Sequence, residues 1–200
     1  MIRGAGKWVS VLAVAVAAAS VTAGARDKPL PAFERVMSLA EPRELVDVTL
    51  TDQDGKSRKL SALAGKPTFV FFGFTNCPEV CPATLKKLAL IQSKHAKELA
   101  GTRVVFISVD GERDTPAVVK DYLQSFSKDF VGLTAPSEDV RKLALSLSAP
   151  FFKDPPKDGD YNVTHSSRVF ALDKHARLRA ELYDASPEAV VGISKALLAE

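Results

Sequence analysis

Two stretches of the chain, residues 68–74 and 103–109, are apolar at nearly every position. A strand that is apolar on both sides must be covered on both sides, so these stretches predict two central strands of a sheet with helices on each face. Residues 45–50 alternate apolar and polar side chains instead, which predicts a strand with one buried face. A turn at 52–55 would let residues 56–60 pair back with that strand.

Apolar residues at helical spacing predict four helices, over residues 82–99, 116–126, 137–147 and 187–198. In the first helix, Leu85 and Leu88 lie on one face while lysines occupy the other positions. Pro116 and Pro187 each stand in a predicted first turn, where the missing amide hydrogen has no helical partner to lose. Ser137 is a typical N-cap residue and begins the third helix.

The predicted elements follow the order β-α-β-α-β-α-β-β-α. A short strand at 130–133 and a hairpin formed by 168–172 and 178–183 complete the sheet. Alternating strands and helices indicate crossover connections. The chain is therefore predicted to be an α/β protein with a central, mostly parallel sheet, a C-terminal antiparallel hairpin and helices on both faces. Residues 149–160 are too polar and proline-rich for a regular element and predict a loop.

The first 25 residues have the order of a secretory signal: Arg3 and Lys7, an apolar run, and Ala23-Gly24-Ala25. The apolar run is about 14 residues long, whereas a spanning helix needs roughly 20. We expect cleavage after Ala25, with retention as an N-terminal anchor as the alternative. Residues 26–44 contain three prolines and predict a linker, and 45–200 predict one domain. Export would place this domain in the periplasm or on the outer face of the inner membrane.

The net charge excludes some partners. It is +3 for the whole chain, and Arg3 and Lys7 contribute two of these charges. The exported part is therefore nearly neutral, and it contains no block of like charges, so nucleic acid is not an expected partner. Two cysteines are too few for a disulfide scaffold, and a domain of this size buries enough surface to fold without one.

Both cysteines, Cys77 and Cys81, lie in the sequence CPEVCP between the first central strand and the first helix. Pro82 fits a first helical turn, which places Cys81 near the N-cap. Because helix N-termini stabilise thiolates, we expect at least Cys81 to have a lower pKa than a free cysteine.

Three interpretations of this cysteine pair compete. A structural disulfide would close a loop of about five residues and contribute only about 2 kcal/mol, which makes it the least favoured. A redox dithiol that forms a reversible disulfide bond is a second interpretation. A soft metal site is the third, because two thiolates that face one point select Cu(I) or, with more ligands, zinc or iron–sulfur.

The chain has three histidines that could join such a site. His95 lies among lysines of the first helix, and His175 lies in the predicted hairpin turn, so both are expected to be structural or exposed. His165 directly precedes the first hairpin strand. In a thioredoxin-like sheet, that segment passes beside the N-terminus of the first helix, and His165 would then face the cysteines.

Three motifs together resemble the Sco/SenC copper chaperones. They are F-x-F-T-N-C-P-E-V-C-P around the cysteines, S-V-D-G-E-R-D-T-P at residues 108–116, and D-G-D-Y-N-V-T-H-S-S at residues 158–167. The resemblance covers the chain from about residue 45 to its end and implies a thioredoxin-like fold. It also implies that Cys77, Cys81 and His165 bind copper, as Cu(I) or Cu(II), for assembly of the copper-A centre of cytochrome c oxidase.

The family resemblance implies the copper-A subunit of the oxidase or another copper-carrying chaperone as partner, and a membrane tether is usual in the family. A thiol reductant is a further expected partner, because the dithiol must be reduced before copper enters. The chain departs from the family pattern at two positions. Gly111 replaces a frequent proline, which predicts a looser loop, and Thr164 replaces a frequent acidic residue before the histidine. Asp110 is expected either to orient His165 or only to cap its loop.

Two enzymatic interpretations remain beside the metallochaperone. A thiol–disulfide oxidoreductase would use Cys77 and Cys81 as its redox pair, acting on cysteines of an oxidase subunit or of other envelope proteins. Against it, the spacing is C-x3-C, and a histidine instead of a cis-proline is expected opposite the pair. A peroxiredoxin-like peroxidase is the weaker interpretation, because its arginine and threonine pattern is not visible in the sequence.

Overall fold

A computed structural model describes Met1 and residues 28–200. The predicted signal segment lies outside these residues, apart from Met1. The strands are β1 Val36–Arg43, β2 Thr49–Asp52, β3 Ser57–Lys59, β4 Thr68–Gly73, β5 Arg103–Ser108, β6 Val131–Thr134, β7 Phe152–Lys153, β8 Val163–Thr164, β9 Val169–Leu172 and β10 Leu178–Leu182. The α-helices are α1 Val80–Lys94, α2 Pro116–Gln124, α3 Ser137–Ser146 and α4 Pro187–Leu198, and a 3₁₀-helix spans Leu60–Leu63.

Eight strands form one sheet in the order β1-β10-β9-β4-β5-β6-β2-β3, and β7 pairs with β8 in a separate ribbon. From β4 onward, the helices and the strands of the main sheet follow the predicted order. The parallel part is smaller than the alternation predicted, because only β4, β5 and β6 run parallel. The strands on either side of these three pair antiparallel with their neighbours.

The core is built on β4 and β5. All six residues of β4 are buried, including Phe71 and Phe72, so both faces of this strand are covered. Parallel pairing brings the C-terminal ends of β4 and β5 to one edge of the sheet. Because β9 runs antiparallel to β4, with Val169 opposite Phe71, the start of β9 lies at the same edge. The cysteine loop, the segment after β5 and the segment before β9 therefore meet there.

The segment 26–44, predicted to be a linker, contains strand β1. This strand pairs antiparallel with β10, and its Val36 lies opposite Leu182. Sparse apolar residues gave no strand signal because an edge strand with an irregular register needs few of them. Within residues 28–200, none of the helices combines the length and the apolar character that crossing a membrane requires.

The loop that contains Gly111 is tightly packed, contrary to the looser loop that its glycine predicted. A Cβ atom at Gly111 would lie 1.9 Å from the carbonyl oxygen of Ala135. The glycine therefore allows the loop after β5 to approach the backbone after β6 more closely than a residue with a side chain could. Its role is close packing and not mobility.

Candidate metal centre

The cysteine loop connects β4 to α1 in a compact turn. The amide of Cys77 donates to the carbonyl of Phe74 over 3.2 Å, and α1 begins at Val80. Cys81 therefore lies within the first helical turn, and its amide donates to the sulfur of Cys77 over 3.4 Å. This amide at the helix N-terminus, which has no acceptor within the helix, is thus directed at Cys77.

Cys81 is buried, and its sulfur lies against the backbone of β4. A Cβ atom at Gly73 would be 2.8 Å from the Cys81 sulfur, so only glycine leaves room for it. Burial raises the pKa of the Cys81 thiol. The prediction of a more acidic Cys81 is therefore wrong, because desolvation outweighs the helix N-terminus at this position.

His165 follows β8 and faces the buried cysteine. Its Nε2 lies 3.4 Å from the Cys81 sulfur, and its Nδ1 lies 2.9 Å from the carbonyl oxygen of Ser166. A carbonyl only accepts, so Nδ1 carries the proton and the Nε2 lone pair is directed towards the cysteines. Burial lowers the pKa of His165, which keeps the imidazole neutral at pH 7. The ring packs edge-on against Phe71 and Phe74.

The ligand atoms of Cys77, Cys81 and His165 all lie within 4.8 Å of one another. Both cysteines are free thiols. Two sulfurs and one neutral imidazole nitrogen form a soft donor set that suits copper. Residues 84 positions apart in sequence are thus brought to one point by the sheet edge described above.

The other two histidines lie elsewhere. His95 directly follows α1 and lies 3.7 Å from the carboxylate of Glu98, and His175 is exposed in the turn between β9 and β10. That turn is at the opposite end of β9 from His165. Both placements agree with the sequence-based expectation for these two residues.

Known proteins share this arrangement of fold and sequence. The model of the SCO1/SenC family matches residues 40–198, which is well over half of the chain. The chain belongs to the SCO1/SenC family. A putative copper-binding protein of Stutzerimonas stutzeri is 32% identical to this chain over 148 residues, which are 74% of this chain and 72% of that relative.

Two solved structures show the same family fold. Bradyrhizobium japonicum ScoI with copper bound is 36% identical, with a TM-score of 0.70 over 76% of this chain and 98% of that one. A SCO1/SenC family lipoprotein from Bacillus anthracis is 26% identical, with a TM-score of 0.69 over 80% and 99% of the two chains. The predicted family resemblance and the thioredoxin-like α/β fold class are confirmed.

A buried carboxylate, Asp114, holds the cysteine loop of this SCO1/SenC protein. It accepts from the amide and the hydroxyl of Thr75, over 3.0 and 2.6 Å, and from the hydroxyl of Ser108 over 2.6 Å. Burial raises the pKa of Asp114. Since Thr75 lies two residues before Cys77, these bonds fix the entry of the loop to the end of β5.

Asp110 serves a different segment. Its buried carboxylate accepts from the Tyr161 hydroxyl over 2.6 Å and from Nε of Arg113 over 2.5 Å, and Nζ of Lys153 lies 3.6 Å away. Among the described residues, His165 is not a partner of this carboxylate. Asp110 therefore anchors the loop that precedes β8. It can influence the position of His165 only indirectly, through the backbone between that loop and the histidine. The guanidinium of Arg113 also lies 3.7 Å from the centre of the Tyr161 ring.

Proposed function

We propose that this SCO1/SenC protein is a copper chaperone that binds one copper ion as cargo through Cys77, Cys81 and His165. The observation that carries this proposal is the convergence of the three donor atoms within 4.8 Å. Family membership supports copper as the metal, since a relative is described as copper-binding and ScoI has copper bound in its structure.

The number of donors favours copper over structural zinc. Structural zinc sites are closed by four protein ligands, whereas the described residues offer three ligands in this cluster. Two thiolates and an imidazole suit a three-coordinate Cu(I) ion, and Cu(II) would take a further oxygen ligand. An incomplete protein shell also leaves one side open for a partner to take the ion.

Loading requires reduced and deprotonated cysteines. The thiol of Cys81 has a raised pKa, so copper must displace its proton, while His165 is already neutral at pH 7. An oxidised Cys77–Cys81 pair would offer no thiolate at all. We propose that a thiol reductant opens the pair before copper enters.

We further propose that the acceptor is the copper-A subunit of cytochrome c oxidase or another copper-carrying chaperone. The Sco/SenC motifs of the sequence support this partner. We propose that the protein works in the periplasm or at the outer face of the inner membrane. The signal-like first 25 residues and the lipoprotein nature of the Bacillus anthracis relative support that location.

Copper titration of the reduced protein tests the ligand set. His165→Ala is expected to weaken Cu(II) binding by about 100-fold, because His165 supplies the one nitrogen donor of the cluster and Cu(II) prefers nitrogen and oxygen ligands. His175→Ala is the matched control, since it removes an exposed histidine far from the site, and it should bind as wild type. Equal affinities for wild type and His165→Ala would remove the histidine from the site.

A thiol–disulfide oxidoreductase is the second candidate function. The observation in its favour is that the two sulfurs are free thiols within 4.8 Å of each other. The raised pKa of Cys81 argues against this residue as an attacking thiolate. Turnover of a disulfide substrate that survives His165→Ala would favour the oxidoreductase over the chaperone.

A further inference from the structure

The orientation of the His165 ring depends on its neighbour Ser166. The backbone carbonyl of Ser166 accepts the Nδ1 proton of the histidine over 2.9 Å. This bond at Nδ1 sets both the tautomer and the direction of the ring, and it thereby fixes Nε2, the ring nitrogen that faces Cys81. Whatever holds Ser166 therefore also holds the ligand nitrogen.

Arg168 holds Ser166 from two directions. Its backbone amide and its Nε both donate to the Ser166 hydroxyl, over 3.2 and 2.9 Å. The remaining guanidinium nitrogens donate to the carboxylate of Glu181 and to the carbonyl of Ser148. One planar guanidinium thus connects three parts of the fold: the segment that precedes β9, strand β10, and the turn that follows α3.

Glu181, the carboxylate that accepts from Arg168, is anchored in the core. The side chain of Glu181 is only 2% exposed, and Arg43 of β1 lies 3.5 Å from its other oxygen. Arg168 itself is 18% exposed and lies over the rings of Phe170 and Tyr183. A buried carboxylate that accepts a hydrogen bond from Arg168 and lies near a second guanidinium is costly to displace, so it makes a fixed reference point.

We infer that Arg168 is a positioning residue for the metal ligand His165, acting through Ser166 and anchored by Glu181. The inference rests on the proposed role of His165 as a copper ligand. The bonds from Arg168 to Ser166 and Glu181 keep Nε2 of His165 at 3.4 Å from the Cys81 sulfur before any metal binds, so the nitrogen ligand is already in place for the ion. None of the three motifs that carry the family resemblance includes Arg168 or Glu181.

Cu(II) competition titrations of two variants test this inference. Ser166→Ala removes the hydroxyl that receives Arg168 and keeps the carbonyl that receives His165. Arg168→Lys keeps a cation beside Glu181, but a single ammonium cannot span three acceptors. We expect each variant to bind Cu(II) about 10-fold more weakly, at the low end of the 10- to 100-fold cost of losing a bond behind a metal ligand. Nitrogen hyperfine coupling of the bound Cu(II) should weaken in parallel.

A double-mutant cycle separates positioning from general stability. If Arg168 acts through His165, then adding Ser166→Ala or Arg168→Lys to His165→Ala should cause no further loss of affinity. Arg177→Lys is the matched control, because Arg177 pairs with the buried Asp173 at the opposite end of the same hairpin. This control should bind copper as wild type.

Two results would overturn the inference alone: wild-type affinity in both Ser166→Ala and Arg168→Lys, or losses that add fully to that of His165→Ala. Thermal unfolding of the apo variants shows whether a loss of affinity merely follows a loss of folded protein. If His165→Ala itself binds Cu(II) as wild type, the ligand set fails first and the inference fails with it.

Discussion

Replacing either loop cysteine by serine is expected to lower copper affinity by about 100-fold or more. Zinc sites with four protein ligands bind with roughly 10–16 kcal/mol, which is about 3 kcal/mol per ligand. A loss of about 3 kcal/mol corresponds to about 100-fold in the dissociation constant. A hydroxyl is a hard, neutral donor and does not replace a thiolate for Cu(I). Competition titration with a chelator of known copper affinity measures the loss.

The two serine variants should differ in stability although they match in copper binding. Cys81 is fully buried beside Gly73 and Phe106, so a hydroxyl there costs about 1–3 kcal/mol of unfolding free energy unless it finds a partner. Cys77 is only half-buried, and Cys77→Ser should unfold close to wild type. Cys77→Ser is therefore the cleaner copper variant. If it bound copper as tightly as wild type, Cys77 would not be a ligand.

Asp114→Ala is expected to destabilise the apo protein by about 3 kcal/mol or more. The substitution removes three hydrogen bonds to a carboxylate and leaves the buried hydroxyl of Ser108 and the partly buried donors of Thr75 without this acceptor. Burial raises the pKa of Asp114, which offsets part of the stabilisation by its ionised form, and this keeps the expected loss close to that lower bound. For a domain of this size, the melting temperature should fall by about 6–12 °C.

Asp54→Ala is the matched control for that measurement. Asp54 pairs with Lys120 on the surface, with both side chains about half exposed, and such a pair contributes about 0–1 kcal/mol. Thermal unfolding of wild type and both variants at one pH gives the comparison. Equal melting temperatures for Asp114→Ala and wild type would show that the Thr75 and Ser108 bonds do not hold the cysteine loop.

The sequence predicted the centre of this fold well because its strongest signals lie there. The apolar runs at 68–74 and 103–109 form β4 and β5, and a helix follows each of these strands as predicted, although its bounds differ. β1 was missed because an edge strand that pairs on one side needs little burial. The helix predicted over 82–99 begins at Val80 and ends at Lys94. The predicted end was too late because turns follow Lys94, and apolar residues in these turns continue the helical spacing.

The candidate site was predicted in composition but not in electrostatics. Cys77, Cys81 and His165 meet as expected, because a thioredoxin-like topology brings their segments to one edge. The acidity of Cys81 was predicted wrongly, since spacing in a sequence does not reveal how deeply a sulfur is buried. Ser166 and Arg168 were missed as well. Their role depends on Glu181, 13 residues beyond Arg168, and on a hairpin register that local patterns do not specify.

X-ray absorption of the copper-loaded wild-type protein tests the three-ligand site itself, because it reports the atoms bound to the ion. We expect two sulfur ligands and one imidazole nitrogen on Cu(I), with a further light atom on Cu(II). The imidazole scattering should disappear in His165→Ala and persist in His175→Ala. A copper ion bound by two sulfurs alone in both oxidation states, with identical spectra for wild type and His165→Ala, would contradict the three-ligand site.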